Sequence, residues 1–432
     1  MIFLHLIFSC FCLLTLTSVF CIDKICNKNN CQLPCCQCAV SNSNPTSLDI
    51  TDIPQLVLLT FVGNLNKYTF DPIRSILNPT YRNPNKCPIS STFFVNDNYT
   101  EYCLVQRLFD NHNEIAMTTS SNKCPLTNCY DENNWRRWSD NDWKREIKQQ
   151  RLNLIEQSNI HQSHIKGFRV PHLQIDDNRH FEHIRNFHFH YDSSMLFKSS
   201  NFLWPFTLDY SFNQTDCINC DDSDRTIQAV WQFPLHEWTY PNATTSCRSL
   251  SDSTCLPDDK PHTVDLFFDF IKYNFDRHSS LTLGHRSPFI IELDLFWLSE
   301  HQNTRLEALI RFIEFILNSN DYDYVYFISI EQALEWLKYP RPLHELKDFW
   351  AFSCSNTIYE YDIDCSDKEL NLLTQEDSKE LTSKDDSNKN NSQLIDRQGE
   401  DLFRSGIVFH SIWIFILLIL TVLFYDKYFA NK

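Results

Sequence analysis

The sequence predicts an α/β domain, a barrel or a doubly wound sheet, from three observations. Residues 56–61 (Leu56, Val57, Leu58, Leu59, Thr60, Phe61) form an almost unbroken apolar run, as expected of a strand buried on both faces. Leu306, Leu309, Ile310, Ile313, Ile316 and Leu317 recur at helical spacing, after which 324–330 reads as a strand and 331–338 as a helix. Helix and strand therefore alternate, while five glycines in 432 residues leave little scope for a loop that cradles phosphate.

Taken in chain order, residues 1–21 are expected to be a signal peptide, an apolar run without acids that reaches Ser18, a small residue suited to cleavage. Residues 22–45 form a Cys-rich segment, with Cys26, Cys31, Cys35, Cys36 and Cys38 crowded together shortly after Cys21. That spacing suits zinc or disulfides, and a secretory route favours disulfides. Of 18 cysteines, 16 remain if cleavage falls just before Cys21, an even number suited to full pairing, and 15 remain if Cys21 leaves with Cys10 and Cys12. Residues 46–355 carry the strand and helix alternation, with a helix expected over 144–157 and Trp135, Trp138 and Trp143 as structural packing around its start. Residues 356–405 are polar and acidic, with too little apolar content to repay ordering, and read as a stalk. Residues 406–425 are apolar over the length that spans a bilayer core, and 426–432 form a short tail whose Lys427 and Lys432 belong on the inner side. The expected location is thus a membrane, as a single-pass type I protein with an extracellular or lumenal ectodomain. Sequons at Asn98, Asn213, Asn242 and Asn390 suit a glycoprotein surface. A net charge of −17 lacks the footprint for nucleic acid but does not oppose a neutral polysaccharide.

Between about 31 and 354, a series of words appears in order: Pro54-Gln55-Leu56-Val57-Leu58-Leu59-Thr60-Phe61, Arg82-Asn83-Pro84-Asn85-Lys86-Cys87-Pro88-Ile89, Thr92-Phe93-Phe94-Val95 and Tyr99-Thr100-Glu101-Tyr102. Gly167-Phe168-Arg169-Val170-Pro171, Tyr191-Asp192-Ser193-Ser194, Trp204-Pro205-Phe206-Thr207-Leu208-Asp209-Tyr210 and Arg286-Ser287-Pro288-Phe289 follow. Together they resemble the invertebrate chitin deacetylase-like proteins of the polysaccharide deacetylase (NodB-homology, carbohydrate esterase) family. That resemblance implies an irregular (β/α)7 barrel of the polysaccharide deacetylase type, flanked here by the Cys-rich segment and the C-terminal transmembrane helix, and a place in carbohydrate metabolism.

In active members of the family, an Asp pair after the first Thr-Phe supplies the general base and one metal ligand, and two His of the second motif supply the others. Zinc lowers the pKa of its bound water to about 7, and the Asp takes that water's proton as it attacks the acetamide. Here the Asp pair aligns with Val62 and Gly63, the two His with Thr118 and Asn122, and a later catalytic His with Asp294. The resemblance therefore implies degenerate catalytic positions Val62, Gly63 and Asp294, degenerate metal positions Gly63, Thr118 and Asn122, retained Arg169 and Asp192, and no cofactor. With its usual partner gone, Arg169 is expected to form an internal ion pair with Asp294 or Asp192, since a buried unpaired guanidinium is costly.

The expected function is that of a membrane-anchored pseudoenzyme that binds chitin, another glycan or an extracellular protein through the old cleft. Trp204, Trp238 and Trp297 are the candidates for stacking on sugar rings. The alternative is a divergent metal-dependent polysaccharide deacetylase, a hydrolase of C–N amide bonds with displaced ligands. His188 and His190, two apart on an expected strand, and His172 are the candidates for such a relocated site. An adhesive or receptor role unrelated to sugar is a third reading.

Overall fold

The computed structural model describes residues 26–354, apart from 28, 41, 127–128, 130–134, 176–178, 221–225, 253, 258–260 and 301. The expected leader, stalk, transmembrane helix and tail, together with Asn390, lie outside the described residues. Among the described residues no helix is long and apolar enough to cross a membrane.

The first half alternates strictly. It runs β1 (Gln55–Gly63), α1 (Lys67–Ile76), β2 (Thr92–Val95), α2 (Tyr102–Asp110), β3 (Glu114–Met117), α3 (Asp140–Ser158), β4 (Gly167–Phe168), α4 (Arg179–Asn186) and β5 (Tyr191–Asp192). Short strands then interrupt the rhythm: β6 (Leu196–Phe197), β7 (Phe206–Thr207), β8 (Trp231–Gln232), β9 (Leu235–His236), β10 (Trp238–Thr239) and β11 (Ser246–Cys247). The chain closes with α5 (Val264–Ser279), β12 (Phe289–Asp294), α6 (Leu295–Glu300), α7 (Glu307–Leu317), β13 (Val325–Phe327) and α8 (Ile330–Lys338).

Seven strands lie parallel in the order β12-β1-β2-β3-β4-β5-β8, with β7 antiparallel at the far end. Val57 pairs with Phe289 of β12 on one edge and with Phe327 of β13 on the other, so β13 is wedged beside the lower half of β1, below β2. Asn83 holds it there, accepting from Phe327 N (2.8 Å) and donating to Phe327 O (3.0 Å). Among the described residues the sheet is an open barrel, because β8 and β12 share no ladder. Trp238 of β10 packs against β12 and α5, its ring 5.3 Å from Phe289 and 5.2 Å from Phe270.

Local chemistry moves several boundaries away from the apolar pattern. β13 is shorter than 324–330 because Ser329 and Gln332 form a capping box that starts α8 at Ile330. α3 begins ahead of 144 for the same reason, with Ser139 capping and Asp142 reciprocating. Trp135 and Trp143 are fully buried and Trp138 packs against both, at 6.2 and 5.0 Å, as expected of structural rings. Every cysteine among the described residues is disulfide-bonded. Cys26–Cys38 and Cys31–Cys36 knit the Cys-rich segment, and Cys87–Cys354 joins the entry to β2 with the end of the domain across 267 residues.

Candidate functional site

A row of residues forms where parallel strands end, because the residue after each strand donates to the last carbonyls of its neighbour. Thr118 N donates to Val95 O (3.3 Å), Arg169 N to Met117 O (3.1 Å), Ser193 N to Phe168 O (3.0 Å) and Phe233 N to Asp192 O (2.9 Å). Val62 lies opposite Asp294 in the β1–β12 register. Asp294, Val62, Gly63, Thr118, Arg169 and Asp192 therefore share the carboxyl edge of the sheet, the edge on which α/β folds build their sites.

Three of the positions assigned to ligands are constrained, Gly63 by its backbone and Thr118 and Asn122 by a hydrogen bond to each other. Gly63 has φ +133°, a region that residues with a side chain rarely adopt, although a Cβ there would meet only Leu295, at 3.5 Å. Backbone conformation, rather than space, thus disfavours a carboxylate at 63. Thr118 Oγ1 and Thr119 Oγ1 both donate to Asn122 Oδ1, at 3.2 and 2.9 Å. The carbonyl oxygen has two lone pairs, and these hydroxyls take both. A neutral hydroxyl and a saturated amide beside a glycine and a valine do not fit zinc, which selects imidazole, thiolate and carboxylate.

Arg169 is 1% exposed, and its partners are neutral. Its Nε donates to Ser193 O (2.7 Å), one Nη to Thr60 Oγ1 (2.9 Å) and the other to Ser193 Oγ (2.8 Å), while the guanidinium lies 4.1 Å from the centre of the Phe94 ring. The expected ion pair with Asp294 or Asp192 is not formed. Asp192 has its own donors, Ser194 N (2.9 Å), Ser194 Oγ (2.6 Å) and the Gln232 amide (2.8 Å), and Thr60 and Ser193 meet the guanidinium first. Burial pulls the Arg169 pKa down, and the charges of Glu292, Tyr191 and Asp192 oppose that. Burial pushes Asp192 up to about 7, against its Ser194 hydrogen bonds and the Arg169 charge. Thr60 and Ser193 escaped the sequence reading, although both stand inside recognised words; nothing in a linear string marks a hydroxyl as the seat of a distant guanidinium.

Asp294 is exposed, and its Oδ1 accepts from Trp297 N at 2.7 Å, the geometry of a helix N-cap on α6. The three tryptophan candidates separate. Trp204 is 2% exposed and stacks near Trp336 (6.2 Å, 28°), and Trp238 is 3% exposed against Phe270 and Phe289, so neither offers a face to a sugar. Trp238 lies on β10, and Trp204 belongs to the core cluster that also holds Trp231, Leu235 and Trp336. Trp297 is half-buried with the Arg305 guanidinium 4.2 Å from its ring.

His188 and His190 are exposed and precede β5 in a loop, contrary to the expected strand, and His172 rests against Trp135 at 5.6 Å. Among the described residues one group of His, Cys, Asp or Glu side chains converges as metal ligands could, namely Cys26, Cys31 and Cys38, within 4.8 Å. Their sulfurs are spent in disulfides. Asn98, Asn213 and Asn242 are exposed, as acceptor asparagines must be.

No family model matches the sequence. Over 329 residues the chain is 30% identical to chitin deacetylase 8 of Bombyx mori, covering 74% of this chain and 79% of that protein. Over 336 residues it is 30% identical to chitin deacetylase 1 of the same organism, covering 76% of this chain and 60% of that longer protein. Among solved structures, a probable polysaccharide deacetylase from Pseudomonas aeruginosa PAO1 aligns at 12% identity over 66% of this chain and 92% of its own, with a TM-score of 0.44. The chitin deacetylase from Colletotrichum lindemuthianum aligns at 13% identity over 65% and 87%, with a TM-score of 0.37.

Proposed function

This chain belongs to the chitin deacetylase family, and we propose that within it the protein is a catalytically silent member, tethered to a membrane, that binds chitin or a related glycan at its barrel mouth. The observation that carries this reading is the hydrogen-bonded set Thr118, Thr119 and Asn122 on the same sheet edge as the positive-φ Gly63. Of the positions assigned to metal ligands by resemblance, Gly63 has no side-chain donor, Asn122 Oδ1 already accepts two hydrogen bonds, and Thr118 offers only a neutral hydroxyl. Amide hydrolysis at neutral pH needs an activated water, and Lewis-acid activation together with a positioned base supplies most of that acceleration. Arg169 and Asp192 persist as parts of a buried polar lattice that holds the strand ends in register.

The family relation supports a sugar ligand, since the Bombyx mori relatives are chitin deacetylases. The membrane tether rests on the apolar run at 406–425 and the short basic tail. Two measurements on the purified full-length chain test the silent reading: zinc content, and acetate released from chitin oligomers. Less than a tenth of an equivalent of zinc (~0.1 per chain) with no acetate is expected. Stoichiometric zinc with turnover would replace it with a divergent deacetylase whose ligands lie at other positions.

A further inference from the structure

Among the described residues, the three most exposed large apolar side chains are Tyr99 (87%), Tyr68 (80%) and Phe296 (64%). All three follow the carboxyl ends of neighbouring strands: Phe296 lies two residues past β12, Tyr68 five past β1 and Tyr99 four past β2, and the sheet order there is β12-β1-β2. The segments that carry them are braced to one another. Glu101 N donates to Leu65 O (2.7 Å), Leu65 N to Thr100 Oγ1 (3.2 Å) and Lys67 N to Glu101 Oε1 (3.2 Å), while α1 packs on α6 and Leu295 lies against Gly63. Tyr99 is held at φ +60°, a costly conformation for a bulky residue, by Thr100 N donating to Asp97 O (2.9 Å) and Thr100 Oγ1 to Asn96 O (2.6 Å). The fold therefore spends backbone strain to keep an aromatic ring in water at the barrel mouth.

Resting on the glycan-binding reading and deepening it, we infer that Tyr68, Tyr99 and Phe296 are the platform on which a neutral chain of N-acetylglucosamine stacks. Exposed aromatic rings combine a flat apolar face with little conformational freedom to lose, and a pyranose presents a matching flat C–H face. Asn64, between β1 and Tyr68 in the chain, is a neutral polar side chain suited to hydroxyl and acetamido groups. Acidic Asp97, Glu101 and Asp294 at the same rim, with a net charge of −17, select against an anionic sugar chain.

The test is calorimetric titration of the full-length chain with a hexamer of N-acetylglucosamine, with zinc and acetate measured on the same samples. Tyr68→Ala, Tyr99→Ala and Phe296→Ala are each expected to weaken binding about three- to tenfold, and the triple variant to abolish it. Tyr68→Phe and Tyr99→Phe, which keep the ring, are expected to retain binding. Unchanged affinity in the triple variant, or no binding by the wild type, overturns the platform. Asn98→Gln binding where the glycosylated chain does not would make the protein's own N-glycan the occupant and overturn it equally. Zinc with acetate release would sink the silent reading and leave the platform standing.

Discussion

Gly63 illustrates how a single residue is settled by its backbone. A carboxylate placed there must adopt φ +133° or move the end of β1, at a cost on the order of 1–3 kcal/mol. Gly63→Asp is therefore expected to lower the melting temperature and to bring no zinc with it, because Asn122 Oδ1 stays saturated by Thr118 and Thr119. Differential scanning calorimetry with metal analysis checks both, and a Gly63→Asp protein of wild-type stability that bound zinc would contradict the assignment. Arg169 makes the complementary point. Its place was readable from the word Gly167-Phe168-Arg169, but its partners were not, since Thr60 lies 109 positions away.

Elements meet through polar contacts whose titration has a sign. β9 and α5 touch through His236 and His278, whose rings are 5.1 Å apart; His236 Nε2 accepts from Leu203 N (2.9 Å) and His278 Nδ1 meets Ser287 Oγ (3.0 Å). Burial, with the Arg277 charge, brings His236 down to about 3, and burial, with the charges of His236 and Arg277, holds His278 well below the ordinary imidazole range. A depressed folded pKa contributes stability that is complete above the unfolded value near 6.5 and drains away as pH falls toward 3. Glu114 and Asp192 act oppositely: burial, aided at Glu114 by the Glu331 charge, raises both to about 7, so their contribution is complete below about 4 and is lost as pH rises through 7. The comparison of His278→Gln with wild type isolates the histidine. Urea denaturation between pH 7 and 5 should give the variant the shallower loss of stability, and equal slopes would count against this account. At α6, Asp294→Ala removes the hydrogen bond to Trp297 N and is expected to cost about 1 kcal/mol, seen as a shift in urea midpoint; no shift would mean that Asp294 does not cap.

For the molecule as a whole, the open barrel leaves its ends to be tied by other means. Cys87–Cys354 closes a loop of 267 residues, and constraining so long a segment of the unfolded chain is worth roughly 2–5 kcal/mol. Replacing both cysteines with serine should lower the unfolding free energy by that amount in a chemical denaturation series. A double variant as stable as wild type would show that packing of Phe352 and its neighbours suffices alone.

The first strand, the alternation of helix and strand, and the family were legible in the residues themselves, because apolar runs and ordered words are local features. The sequence also placed Trp135, Trp138 and Trp143 correctly as packing. It misassigned Trp204 and Trp238, since a tryptophan in a core and one on a rim read alike in a string, and the packing of Trp238 on Phe270 and Phe289 exists only in three dimensions. Tertiary structure alone decided that Thr118, Thr119 and Asn122 satisfy one another, that Arg169 rests on hydroxyls and a carbonyl, and that Tyr68, Tyr99 and Phe296 stand on adjoining strand ends. The physical reason is the same throughout: composition states which donors and rings a chain owns, whereas burial and hydrogen-bond saturation depend on neighbours brought together from distant parts of the chain.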